Sequence, residues 1–122
     1  MCSVIEMEID NRKIRVADIK KKYIENIIDA ARKCDIIDRI MLFGSSTGSR
    51  CKKSSDIDLA IFGKETEYKA LRSKKYSQFT DQLYDFDNDG QGYDLLYFKS
   101  GKEYQGRIMD DILNGEQIYV RE

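Results

Sequence analysis

Apolar residues fall along this chain in three short blocks set among longer stretches of helical spacing. Residues 36–43 (IIDRIMLF) end in Gly44, residues 57–62 (IDLAIF) are closed by Gly63, and residues 93–98 (YDLLYF) follow the loop-like run DFDNDGQG at 85–92. Apolar runs of this length bounded by glycine predict buried strands. Nearer the start, residues 3–9 alternate weakly, Asp10-Asn11 reads as a turn, and residues 13–16 complete a small hairpin.

Three segments carry the helical period. Asp18 stands as an N-cap for a helix running to about residue 33, with Ile19, Tyr23 and Ile27 beside Ile24, Ile28 and Ala31 on one apolar face. Residues 65–84 predict a charged helix with Tyr68, Leu71, Phe79 and Leu83 on one side. Residues 101–114 predict another, carrying Tyr104, Ile108, Met109, Ile112 and Leu113 and ended by Gly115 at the C-cap. Residues 117–120 read as a last short strand or an extended tail. Strands alternating with helices predict an α/β (α+β) fold in which helices pack on a sheet.

The 122 residues contain no proline and no linker-like segment, so a single domain over residues 1–122 is expected. Lys plus Arg number 21 against 22 for Asp plus Glu, and a net charge of -1 argues against strong nucleic-acid binding. The first ten residues, broken by Glu6, Glu8 and Asp10, do not read as a signal peptide, and no apolar run reaches membrane-spanning length. Cys2, Cys34 and Cys51 are odd in number and unpatterned, which reads as reduced thiols and a cytoplasmic location. The absence of histidine removes imidazole bases, Ser-His-Asp triads and His-ligated zinc. Any chemistry must run on carboxylates, hydroxyls, lysines or thiols, and on hard metals such as Mg²⁺ or Mn²⁺.

One stretch concentrates that chemistry. Residues 43–62 read FGSSTGSRCKKSSDIDLAIF, placing Gly44, Ser45 and Ser46 after one apolar run and Asp56 and Asp58 at the start of the next. Glycine lets backbone approach a bulky ligand, serine adds a hydroxyl, and the first amides of a following helix attract anions. Taken alone, the Gly-Ser reads more readily as an ordinary helix N-cap. Residues two apart on a strand share a face, so Asp56 and Asp58 converge, and a divalent cation relieves their repulsion. Asp94, near the start of the third apolar block, is the candidate third carboxylate, with Asp85, Asp87 and Asp89 as rivals in the adjoining loop. Arg50, Lys52 and Lys53 lie between the two motifs, where cations beside a phosphate help; a solvated loop is the plainer reading.

Gly44-Ser45, ten residues, then Asp56-Ile57-Asp58 resembles the signature of the nucleotidyltransferase superfamily that includes DNA polymerase beta, and the short chain looks like its minimal nucleotidyltransferase branch. The resemblance covers about residues 36–120 and leaves the first 16 residues unaccounted for. It implies a mixed sheet with flanking helices and transfer of AMP from ATP to a hydroxyl. Carried over residue by residue, Gly44 and Ser45 would bind the β,γ-phosphates, with Ser46 adjoining them. Asp56 and Asp58 would bridge two Mg²⁺ ions, and Asp94 would bind the ion that activates the acceptor.

That branch includes antitoxins paired with HEPN-type toxins, so the resemblance implies a helical partner protein as the adenylylated acceptor. The alternatives are the same chemistry on a small molecule such as an antibiotic, or a non-catalytic antitoxin that neutralises its partner by binding. All three carboxylates and the Gly-Ser are intact, which favours an enzyme.

Overall fold

The computed structural model describes residues 3–121; Cys2, one of the three expected thiols, lies outside them. The chain opens with a hairpin of β1 (Val4–Ile9) and β2 (Arg12–Ala17), paired antiparallel with Ile9 opposite Arg12. Asp10 and Asn11 carry φ of 47° and 67°, the left-handed pair that a two-residue hairpin turn needs and that Asp and Asn tolerate best among side-chain-bearing residues. After it, Asp18–Lys20 form a 3-10 turn and α1 spans Lys21–Arg32.

Asp18 therefore does not cap α1: the N-cap of that helix is Lys20, and the tight turn that Asp18 starts carries Ile19 out to 39% exposure. The remaining face of α1 is as its spacing predicts, with Tyr23, Ile24, Ile27, Ile28 and Ala31 buried.

β3 (Ile37–Phe43), β4 (Ile57–Gly63), β5 (Tyr93–Lys99) and β6 (Glu116–Val120) form a four-stranded sheet in the order β5-β4-β3-β6. β3 runs antiparallel to both β4 and β6, whereas β4 and β5 are parallel, so the sheet is mixed. The parallel pair requires a crossover, which residues 64–92 provide.

That crossover is two helices, α2 (Glu67–Leu71) and α3 (Lys74–Tyr84), rather than the single helix expected over 65–84. The local reason is a second cap: the Ser73 hydroxyl accepts the Tyr76 amide at 3.1 Å, just as Thr66 Oγ1 accepts the Lys69 amide at 3.3 Å. A new axis starts at Lys74, so Phe79 and Leu83 are buried while Tyr68 and Leu71 stand exposed.

The helix expected from residue 101 is also shorter, α4 covering only Arg107–Leu113. Residues 101–106 form a loop, and Gly106, at φ 123°, sets the entry to α4. Ile108 and Leu113 face out, whereas Met109 and Ile112 are buried; Asn114 is the C-cap, with Gly115 following it.

Alternation along the strands sorts the core onto two faces. Ile57, Leu59, Ile61 and Leu95 pack with α1, α3 and the inner side of the hairpin, including Ile14, Ile24, Ile27 and Phe79. Met41, Phe43, Ala60 and Phe62 pack with Met109 and Ile112 of α4, backed by Leu96, Phe98 and Tyr104. This second face also carries the candidate aspartates Asp58 and Asp94.

Candidate active site

Asp58 is the second residue of β4 and Asp94 the second of β5, and the parallel register pairs them directly. Paired residues point to the same side of a sheet, so both carboxylates rise from the α4 face, in line with Ala60 and Leu96. Asp56 lies two residues before Asp58, just ahead of β4, and keeps to that side. β3 runs the other way and ends at the same edge, with Phe43 opposite Asp58 and Gly44 next. Three strand ends thus bring Gly44, Asp56, Asp58 and Asp94 together.

Asp56, Asp94 and Gly44 are exposed and Asp58 is half-buried. Burial raises the Asp58 pKa above the ordinary carboxylate value, and the neighbouring charges of Asp94 and then Asp56 raise it further. The three charges therefore share one neighbourhood.

Gly44 sits against this cluster. Its φ is +75°, and a Cβ there would lie 2.2 Å from Asp58 Oδ2, so only glycine lets the turn close onto the carboxylate. A second close approach was not legible in the sequence: a Cβ on Gly92 would lie 2.2 Å from Asp56 Oδ1. The Gly92 carbonyl also accepts the Ile57 amide at 3.0 Å, fixing the chain between Asp56 and Asp58. A glycine just before an apolar block was its only sequence signal.

The segment after β3 differs from expectation. Gly44–Thr47 form a 3-10 turn, with Thr47 Oγ1 donating to the Gly44 carbonyl at 2.8 Å, and the chain leaves helical geometry at Gly48. No α-helix follows, so the anion attraction of a helix dipole does not apply here. What remains for a phosphate is the turn itself and its side chains. Ser45 is half-buried at the surface, whereas Ser46 is fully buried and its hydroxyl has no hydrogen-bond partner among the described residues. Arg50, Lys52 and Lys53 are exposed on the intervening loop.

Two of the three rival aspartates are engaged elsewhere, and the third, Asp85, is the C-cap of α3. Asp87 and Asp89 bridge to Lys22 at 3.2 and 3.4 Å, and Tyr23 Oη donates to Asp87 at 2.8 Å. Cys34 and Cys51 are buried cysteines outside the site, not joined in a disulfide.

Among the described residues no group of three His, Cys, Asp or Glu is placed to hold a metal ion as it stands. The chemistry of the set is nonetheless that of a hard cation: three carboxylates on one sheet edge, one with a raised pKa caused partly by the other two. A cavity of about 340 Å³ lies nearby, lined by Lys20, Tyr23, Lys53 and Gln91 among others, and does not open onto the three aspartates. Among the described residues no helix is long and apolar enough to cross a membrane.

No curated protein matches the chain. The family described as "Polymerase beta, Nucleotidyltransferase" matches residues 25–122, a span that holds every candidate residue and begins inside α1, leaving the hairpin outside. The match takes in both the Gly44 turn and the paired Asp58 and Asp94, and the chain belongs to this polymerase beta nucleotidyltransferase family.

Proposed function

We propose that this protein transfers AMP from ATP to a hydroxyl, with Asp56, Asp58 and Asp94 holding Mg²⁺. The observation that carries the reading is the register pairing of Asp58 with Asp94, with Asp56 on the same side and Gly44 against Asp58. A bound divalent cation would neutralise the triphosphate and lower the pKa of the attacking hydroxyl, removing the need for a histidine base. Gly44, exposed at the start of the turn, would let phosphates approach the backbone, and Ser45 Oγ would donate a hydrogen bond to a phosphate oxygen. Asp94, on the neighbouring strand β5, would hold the ion that activates the acceptor hydroxyl, pyrophosphate being the leaving group.

The acceptor we propose is a protein, namely a helical partner of the HEPN toxin type, the present chain acting as its antitoxin. Exposure of Asp56, Asp94 and Gly44 supports a large acceptor, because an open edge admits a macromolecule, whereas a small molecule needs enclosing walls. Incubation of the chain with Mg²⁺, α-labelled ATP and its co-purifying partner, followed by intact mass measurement, tests this. Whole AMP units on the partner, absent with Asp56→Asn, support the proposal. AMP transfer only to a small hydroxyl compound, or neutralisation of the partner that survives Asp56→Asn with Asp58→Asn, sinks it.

A further inference from the structure

Lys20 is 1% exposed, although its neighbours Lys21 and Lys22 are solvated. Burying an ammonium group is costly unless each of its three N–H donors finds an acceptor. The Lys20 ammonium donates to the carbonyl of Lys53 at 3.1 Å, to the carbonyl of Ser55 at 2.8 Å, and to Gln91 Oε1. Gln91 Nε2 in turn donates to the Ser55 carbonyl at 3.0 Å and the Gly92 carbonyl at 2.7 Å.

These bonds join two irregular segments. Residues 53–55 lead into Asp56, and residues 91–92 lead into Asp94. Neither lies in a helix or strand, so no ladder of backbone bonds fixes it. The Ser55 carbonyl takes bonds from both Lys20 and Gln91, and the Gly92 carbonyl takes bonds from both Gln91 and the Ile57 amide. Gly92 itself lies against Asp56. The clamp thus closes on the chain directly before Asp56 and two residues before Asp94.

We propose that Lys20, acting through Gln91, is a positioning residue that sets Asp56 and Asp94 for divalent-cation binding; this rests on the nucleotidyltransferase reading of the three aspartates. A compact ammonium can serve three acceptors from one point, which a neutral side chain of similar length cannot do. Lys20 touches no substrate and takes no proton in the reaction. Its effect is on where two carboxylates stand.

The test is Mn²⁺ affinity, followed by electron paramagnetic resonance on the full chain at a temperature where circular dichroism shows each variant folded. Lys20→Met and Gln91→Leu are each expected to weaken Mn²⁺ binding about 10- to 100-fold, as loss of groups that orient metal ligands does. Ile27→Val, which loosens the buried face of α1 away from the clamp, is expected to leave the affinity within about twofold, separating positioning from general destabilisation. Folded Lys20→Met or Gln91→Leu protein with the affinity of the unmodified chain overturns the inference; should Lys20→Met not fold, Gln91→Leu decides alone. If the unmodified chain binds no Mn²⁺, the metal reading of the aspartates fails first, and the clamp fails with it.

Discussion

Gly44 and Asp58 are in direct contact across the β3–β4 edge, with space for a hydrogen but not a methyl between the glycine Cα and the carboxylate. Gly44→Ala adds two effects. The φ of +75° disfavours any L side chain by about 1–2 kcal/mol. The new methyl then pushes on a flexible carboxylate, which moves aside rather than breaking the fold. The expected outcome is a stability loss of about 1–2 kcal/mol in urea denaturation and a fall of about 10²-fold in AMP transfer, the usual cost of a misplacement near 1 Å. Wild-type transfer by a folded Gly44→Ala protein would show that Asp58 need not stand where it does.

Gly92→Ala separates those effects. Gly92 is not among the residues with positive φ, so its backbone accepts alanine without strain, yet the methyl meets Asp56 Oδ1. Stability should change by less than about 1 kcal/mol, while transfer and Mn²⁺ binding both weaken. Loss of stability equal to that of Gly44→Ala, with Mn²⁺ binding intact, would mean that the contact is only structural.

α4 offers a comparison between two isoleucines. Ile112 is fully buried under the sheet face that carries the aspartates, whereas Ile108 is 48% exposed. Ile112→Ala is expected to cost about 2–5 kcal/mol, and Ile108→Ala less than about 1 kcal/mol. Thermal unfolding of the two variants distinguishes this packing from a helix that begins at residue 101 and buries Ile108.

At alkaline pH the tyrosines set the limit. Tyr97 is buried and donates its hydroxyl to the Glu65 carbonyl at 2.8 Å; burial, with the negative charges of Asp38 and Glu65, pushes its pKa up to about 12 from an ordinary 10. The folded chain therefore holds this proton more tightly than the unfolded chain. The contribution to stability is complete below pH 10 and is lost as pH rises through 12. Tyr76 and Tyr93 are shifted in the same direction by burial and add to the decline. Melting temperature measured from pH 9 upward should fall over this window. Tyr97→Phe should begin lower, by about 0.5–1.5 kcal/mol for the lost hydrogen bond, and then fall less steeply. An unchanged slope would rule out the Tyr97 hydroxyl as a source of the pH dependence.

Sequence determined the features that depend on near neighbours. Apolar blocks bounded by glycine marked β3, β4 and β5, Asp10-Asn11 marked the hairpin turn, and the Asp-Ile-Asp at the mouth of β4 placed two carboxylates on one side. It was less informative where a local cap competes with a periodic pattern. Ser73 starts a new helix inside a continuous helical spacing, and six residues expected in α4 form a loop, because a pattern repeated every three or four residues does not state where the axis stops.

Tertiary structure alone decided which distant residues meet. Asp94, rather than Asp87 or Asp89, stands beside Asp58 because a parallel register is fixed by packing between segments joined through a two-helix crossover. The same packing put α4 over the carboxylate face and Gly92 against Asp56. It also selected Lys20 for burial from a run of three lysines that look alike in sequence. Side-chain period is local to an element, but burial and register depend on surfaces that exist only once the elements have come together.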